Sequence, residues 1–421
     1  MRSPAGLDRV FWLLWASSAL CFLSVGAYAP VLPIYVRTEL GGGPAEIGLV
    51  TGATAAIAIL LRPGAGAFGD RRGRRKASVI GGVVLAAAPL VLIAPGLMGI
   101  ALLARLFVGL GEALLNVATT AWAFDRAPHA RRARVMGMFS TSIWIGFGVG
   151  PQVAELLRGA WGFDAVWVWC AATALAAALC AQAVPAPERH ALAHDPTAFR
   201  TGRERLATAL EGPRAAAIPG AVVALALLGE GALQAFGVEH LVARGVAPGG
   251  GVGGAASVFS VFAIAALVAR VPAGDLVDRC GSHGPAAGAL VLVAVGWMLM
   301  SVASSFAAAA VASALVGFGI SVLFPALSLL VTDRVHPSAR GAALGGYIAF
   351  MDVGLGIGAV CGGLVVHATS TQALFVIGAA GAVLGVGLVV LDRARRPPGS
   401  ATAPWSQSAP PRPAPAASPT A

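Results

Sequence analysis

Gly66-Ala-Phe-Gly-Asp70-Arg71-Arg72-Gly73-Arg74-Arg75-Lys76 is a burst of charge and glycine between two long apolar runs, and it recurs at a fixed distance. A shift of 208 residues brings it onto Gly274-Asp-Leu-Val-Asp278-Arg279-Cys-Gly281. The same shift carries Arg62 onto Arg270, Gly109 and Gly111 onto Gly317 and Gly319, and Asp125-Arg126 onto Asp333-Arg334. It also carries Arg132 onto Arg340, Gly137 onto Gly345, and Gly146, Gly148 and Gly150 onto Gly354, Gly356 and Gly358. One ungapped offset that matches the scarce charged and turn residues, and not only Ala and Leu, implies two structurally equivalent halves.

Composition places both halves in a membrane. Of the 421 residues 57% are hydrophobic and 11% charged, whereas soluble domains carry roughly 25% charged residues. The 55 glycines suit spanning helices, where small residues let backbones approach closely. Apolar stretches long enough to cross about 30 Å of hydrocarbon fall at 10–36, 45–68, 77–95, 98–123, 134–157 and 163–184, then at 215–241, 252–276, 285–304, 306–331, 339–366 and 371–391. Pro95-Gly96 and Ser304-Ser305 are read as the turns in the two longest unbroken apolar tracts. The expected fold class is therefore an all-α membrane protein of twelve transmembrane helices in two pseudo-symmetric six-helix halves. Residues 1–184 form the first half, 185–214 a cytoplasmic linker, 215–396 the second half and 397–421 a Pro/Ala/Ser-rich tail expected to lack order.

Loops on the side of the termini hold 23 of the 29 Lys and Arg residues, and the opposite loops hold Arg37, Arg158 and Arg244. By the positive-inside rule both ends are expected in the cytoplasm, with the chain in the inner (plasma) membrane. The formal charge of +10 is scattered in short clusters between spans and gives no separate domain for nucleic acid. Five cysteines without paired spacing read as free thiols. His190 and His194 have helical i, i+4 spacing, but Asp195 is the one further donor nearby, so no metal and no cofactor is expected. The sole lysine, Lys76, stands in no phosphate-cradling Gly-x-x-x-x-Gly-Lys-Ser/Thr loop, which argues against direct ATP drive. No enzyme chemistry is expected.

Gly66-x-x-x-Asp70-Arg71-x-Gly73-Arg74-Arg75 at the end of a second span resembles the loop signature of the major facilitator superfamily, and the weaker copy at Gly274–Gly281 is similar to that family's degenerate repeat. Arg105-x-x-x-Gly109-x-Gly111 and Gly146-x-x-x-Gly150-Pro151 resemble the fourth- and fifth-span patterns of its drug/proton antiporters. Where the second pattern continues to two glycines, this chain has Ala154-Glu155. The resemblance implies a central cavity lined by the first, fourth, seventh and tenth spans. It also implies that Arg74 reaches Asp125. Because the loop at 69–76 shares its side of the membrane with the start of the eleventh span near Ser338, Asp70 is expected to meet that helix start as a latch, with Arg71, Asp278, Arg279 and Asp333 in the gating loops. An acid near a helix start gains about 0.3–2 kcal/mol from the helix dipole.

Ionisable residues inside spans are costly and mark candidate sites. Arg105, Glu112 and Asn116 lie at i, i+7, i+11 on one face of the fourth span, with the first two roughly 10 Å apart along the axis. Glu230 with Gln234 makes an i, i+4 patch in the seventh span, and Asp352 lies near the middle of the eleventh. Tyr28, Trp144 and Phe236 are candidate aromatic walls. Gly146, Gly150 and Pro151 permit close packing and a kink. If Arg105 approaches Glu112 in one state of the protein and not in another, the proton affinity of Glu112 changes with state. A substrate that competes with that proton is then driven by linkage. The expectation is a monomeric, proton-coupled efflux permease working by alternating access, an antiporter for a small amphipathic organic compound such as a drug or secondary metabolite. An importer or facilitator of a sugar or organic acid is the alternative. Arg105 as the sole midplane cation argues against phosphorylated substrates, which favour two or more cationic groups.

Overall fold

The computed structural model describes residues 8–93, 96–127, 132–185, 202–249, 253–335 and 340–395. Among them there is no strand. The helices are α1 (Arg9–Thr38), α2 (Pro44–Arg72), α3 (Arg74–Val91), α4 (Met98–Arg126), α5 (Arg132–Phe139), α6 (Thr141–Ala183), α7 (Gly202–Ala243), α8 (Ser257–Cys280), α9 (His283–Val302), α10 (Phe306–Thr332), α11 (Arg340–Ala368) and α12 (Thr371–Ala394).

Local chemistry explains where these helices begin and stop. The Asp8 side chain accepts a hydrogen bond from the Phe11 amide at 2.9 Å and so caps α1. Pro44 stands in the first turn of α2, and the Glu46 carboxylate accepts from the Gly43 amide at 2.9 Å. The charged loop is a one-residue joint: α2 stops and α3 starts at Gly73, whose φ of 95° is open to glycine and costly for other residues. Its repeat partner Gly281 has φ 69° between α8 and α9. The backbone thus repeats at the same offset as the sequence. Ser305 caps α10 by accepting from the Ala308 amide at 3.3 Å, which places the turn between α9 and α10 where the serine pair predicted it.

Nine helical stretches among the described residues are long and apolar enough to cross a membrane. One of them, 135–183, is 49 residues long and bends at Gly162, where φ is 80°. It holds the expected fifth and sixth crossings as two helices that meet at Gly162. α3 and α8, shorter or less apolar, complete the two sets of six. The linker expected at 185–214 is cut short, because α7 already runs from Gly202. Residues 186–201, including His190 and His194, and the tail from 396 lie outside the described residues.

Equivalent helices pack in equivalent ways: α1 on α6 as α7 on α11, α2 on α4 as α8 on α10, and α3 on α4 as α9 on α10. The halves meet along two seams, α2 against α11 and α6 against α8. Leu60, Leu179 and Leu384 are exposed on the outer surface, as side chains bathed in lipid would be. The end of the bundle where α1 begins and α12 finishes is called the terminal face below, and the other end the far face.

Small residues let α1 and α6 touch backbone to backbone. A Cβ on Gly150 would stand 2.6 Å from the Leu23 carbonyl oxygen, and one on Gly26 would stand 3.0 Å from that of Gly146. Pro151 continues this contact face and is buried. Replacing Gly150 by Ala should therefore force α1 away and cost about 1–3 kcal/mol, whereas Gly288→Ala, with no neighbour within 4 Å, should be near neutral. Thermal unfolding of the detergent-purified variants, followed by monodispersity on gel filtration, checks the difference.

Candidate functional site

Arg105 and Glu112 share a face of α4, yet they do not meet. Arg105 is buried and turned toward α2: its Nε donates to the Val50 carbonyl at 3.3 Å and an Nη to that of Thr51 at 3.2 Å. Its guanidinium also lies 5.1 Å from the centre of the Tyr28 ring, a distance at which a cation is attracted by the ring face. Thr54 returns a bond from its hydroxyl to the Arg105 carbonyl at 3.4 Å. Arg105 therefore ties α4 to α1 and α2. The approach of Arg105 to Glu112, read from the sequence as dependent on state, is not made in this conformation, where a different cation meets Glu112.

That cation is Arg62 of α2. One Arg62 Nη lies 3.6 Å from Glu112, and the same guanidinium contacts Asp352 of α11 at 2.9 Å through Nε and donates to it at 3.1 Å through Nη2. Both acids are buried. Asn116 donates to Glu112 at 3.4 Å and accepts from Thr120 at 3.2 Å, holding the carboxylate on its α4 stripe. A single guanidinium is thus shared by two carboxylates from opposite halves. Asp352, which looks peripheral when α11 is taken alone, lies at the α2–α11 seam beside Glu112. The argument that Arg105 is the sole midplane cation also falls, since Arg62 shares that region.

The other seam carries the repeat-related arginine with different partners. Arg270 of α8 donates to the Ser140 hydroxyl and lies 5.9 Å from the centre of the Trp144 ring. Under the shift of 208 residues, Trp144 is the counterpart of Asp352. Trp144 is half-buried and also faces Phe262 of α8, with ring centres 5.7 Å apart.

Glu230 and Gln234 of α7 form the expected hydrogen-bonded pair. Gln234 lines a cavity of 290 Å³ that opens toward the far face between α1, α6 and α7. Pro30, Pro33, Ile34 and Val238 supply its apolar wall, and Arg37, Arg158 and Glu239 its rim. Arg37 pairs with Glu239 across the halves at 2.9 Å. Two expected wall residues are elsewhere. Tyr28 is buried beneath Arg105 and stacks on Trp167 at 5.6 Å, and Phe236 is buried in the apolar core that joins α7 to the first half. Packing has used their surfaces.

The charged loop is arranged as the resemblance implies at one point. Arg74 contacts Asp125 at 2.7 Å and also Asp70 at 3.2 Å, joining the ends of α2, α3 and α4. A Cβ on Gly66 would stand 3.9 Å from Val117 of α4, and Arg71 is exposed. Asp70 is half-exposed, with Arg74 as its ion partner; Ser338, toward which it was expected to reach, lies outside the described residues. In the second half Arg279 and Asp333 are exposed, and the side chain of Asp278 lies outside the description. There the buried acid is Asp392 of α12, which meets His283 at 3.0 Å and Arg334 at 2.5 Å.

The profile of the Major Facilitator Superfamily matches residues 14–238 and 234–418. The chain belongs to that superfamily. It is 27% identical to an MFS-type transporter of Burkholderia mallei (strain SAVP1), over 91% of this chain and 92% of that protein. It is 28% identical to one of Pseudomonas aeruginosa (strain UCBPP-PA14), over 90% and 92%. The fold is shared with the nucleoside transporter NupG (TM-score 0.72, 16% identity, 92% of this chain and 100% of that one). It is shared too with the human organic anion transporter MFSD10 (TETRAN) (TM-score 0.68, 17% identity, 92% and 100%). The chain is a multi-pass membrane transporter of the superfamily and not an enzyme.

Breaking a buried ion pair strands the partner, so its two single deletions overlap in cost. Arg62→Gln and Asp352→Asn should each destabilise this transporter, and the double variant should lose less than their sum by about 0.5–3 kcal/mol. Arg105→Gln should be additive with Asp352→Asn. Thermal unfolding of the four-member cycles in detergent reads both outcomes.

Proposed function

We propose that this transporter is a proton-coupled exporter of a small amphipathic organic compound, cationic forms included, working by alternating access as a monomer in the bacterial inner membrane. The observation that supports this reading most is the sharing of Arg62 between Glu112 and Asp352. Two carboxylates against one cation leave room for one added positive charge. A proton or a cationic compound can supply it, and each then weakens the binding of the other. Antiport needs that competition. Glu230, joined to Gln234 at the cavity between the halves, is a second carboxylate able to face a cationic group, and the apolar walls of that cavity suit an amphipathic molecule.

Both termini are placed in the cytoplasm on the distribution of Lys and Arg, so the terminal face is the inner one. The Arg74–Asp125–Asp70 group then holds the inner ends of three helices of the first half as a rigid unit. In this reading Asp70 is the group that touches the start of α11 when the inner face closes, with Arg71, Gly73, Asp278, Arg279 and Asp333 completing the loops on that face.

Proteoliposomes loaded with a fluorescent lipophilic cation such as ethidium test direction and coupling together. An imposed proton gradient should drive uphill movement of the dye opposite to the proton, and Glu112→Gln or Glu230→Gln should lower that rate at least tenfold while the variants remain folded on gel filtration. Movement in the same direction as the proton would instead support an importer. Wild-type rates in both variants would remove those carboxylates from the coupling site. Asp70→Asn should raise labelling of terminal-face cysteines by a membrane-impermeant maleimide in inverted vesicles, and unchanged labelling would remove the latch.

A further inference from the structure

The two seams between the halves are related by the internal repeat, but among the described residues one of them alone presents an acid to its arginine. At the α2–α11 seam Arg62 meets Asp352 at 2.9 Å; at the α6–α8 seam Arg270 meets the Ser140 hydroxyl and the Trp144 ring. A proton can break the first contact, whereas the described partners of Arg270 in the second, a hydroxyl and an indole ring, bind no proton near neutral pH. The α2–α11 seam is also built to part at one end. Toward the far face its backbones touch: a Cβ on Gly48 would stand 3.0 Å from Gly363, and one on Gly52 would stand 3.1 Å from the Gly356 carbonyl. Toward the terminal face a Cβ on Gly345, on the α11 stripe that carries Gly356 and Gly363, would meet nothing within 4 Å. Arg62 sits where close contact gives way to separation, and Glu112, 3.6 Å away in its own half, offers it a second seat.

We infer that Arg62 is the switch that converts proton binding into movement of the halves, and that Asp352 is the group that takes the proton. This rests on the proton-coupled reading above and goes beyond it by naming the carrier and the seam. When Asp352 is ionised, Arg62 spans the seam and holds the terminal face together. When an Asp352 oxygen accepts a proton from water, the charge–charge contact with Arg62 is lost. The guanidinium passes wholly to Glu112, and the seam parts from the terminal face outward. Release of that proton to water restores the bridge. One cation alternates between two carboxylates, so one proton is bound per opening.

Other charged groups on the helices around Asp352 are held by partners of their own or lie exposed, as Arg71 and Arg72 of α2 and Arg214 of α7 do; on α7 Glu239 pairs with Arg37, and His240 bonds Thr371 and the Met300 carbonyl. On α4, Arg105 is bonded to the Val50 and Thr51 carbonyls. On α7, which packs along α11, Glu230 is bonded to Gln234. On α2, Glu46 caps its own helix and Asp70 pairs with Arg74. α10 has no charged residue, and on α12 Asp392 is held by His283 and Arg334 while Arg393 lies at the terminal end.

The test needs no substrate. Nitroxide labels at Cys280 and at Arg72→Cys, both exposed at the terminal face on opposite halves, are placed in a protein whose other four cysteines are replaced. Electron–electron distances are measured in lipid nanodiscs between pH 5.5 and 8.5. The wild type should show a long-distance population that grows as pH falls, with a slope of about one proton. Asp352→Asn should show that population at every pH, and so should Arg62→Gln. Arg62→Lys should restore the titration. Arg270→Gln should shift the populations at all pH values alike and keep the pH dependence. A wild-type pH response in Asp352→Asn, or loss of the response in Arg270→Gln, would overturn the inference. A wild type without pH response that still drives ethidium with a proton gradient would overturn the switch and leave the transport reading standing. A titrating seam in a protein that moves no dye against a proton gradient would support the switch and remove the proposed function.

Discussion

A half-buried guanidinium and two buried carboxylates among apolar helices are tolerable only together. Removing an ion from water costs several kcal/mol even after the surroundings relax, so neither half can lose the other's charge at this point without admitting water or a proton. The shared Arg62 is therefore a constraint on the whole architecture. It makes the contact between the halves conditional on charge, whereas apolar packing alone would make it indifferent to what enters. The carbonyls of α2 that accept from Arg105, the stripe of Asn116 and Thr120 on α4, and the close glycine contacts of α2 with α11 all hold the three charged groups within reach of one another.

The fold was legible because its information is local or periodic. Gly73 and Gly281 need positive φ wherever they occur, Ser305 caps a helix by its own hydroxyl, and the apolar runs announce their length. The charged site was legible in part. Glu112, Asp352 and Arg105 stand out in apolar sequence, but their partners lie across the bundle: Arg62 reaches Asp352 over a separation of 290 residues. Spacing within α4 suggested Arg105 for Glu112, and each side chain instead turned to a neighbouring helix. The signal that could have found Arg62 was present, since it is one of three basic residues inside the spans and its copy is Arg270. Tyr28 and Phe236 misled for the opposite reason: a large ring is as useful in packing as in lining a cavity, and composition does not tell the two apart.

The halves are equivalent in backbone and unequal in charge. At the terminal face the first half links α2, α3 and α4 through Arg74, Asp70 and Asp125, while position 282, where the repeat would put a second Arg74, is serine. At this face the second half instead places a buried acid, Asp392, on α12, between His283 of α9 and the end of α10 at Arg334. The repeated scaffold thus carries two different sets of fastenings.

The far face of the first half has a joint of its own. The fifth and sixth crossings are two helices that meet at Gly162, where a φ of 80° breaks the helical path. A single glycine between the segment that bears Trp144 against α8 and the segment packed on α3 lets the one change its angle to the other while their ends stay joined. With Gly73 at the opposite end, the first half thus has a knuckle at each face, and neither knuckle needs a loop.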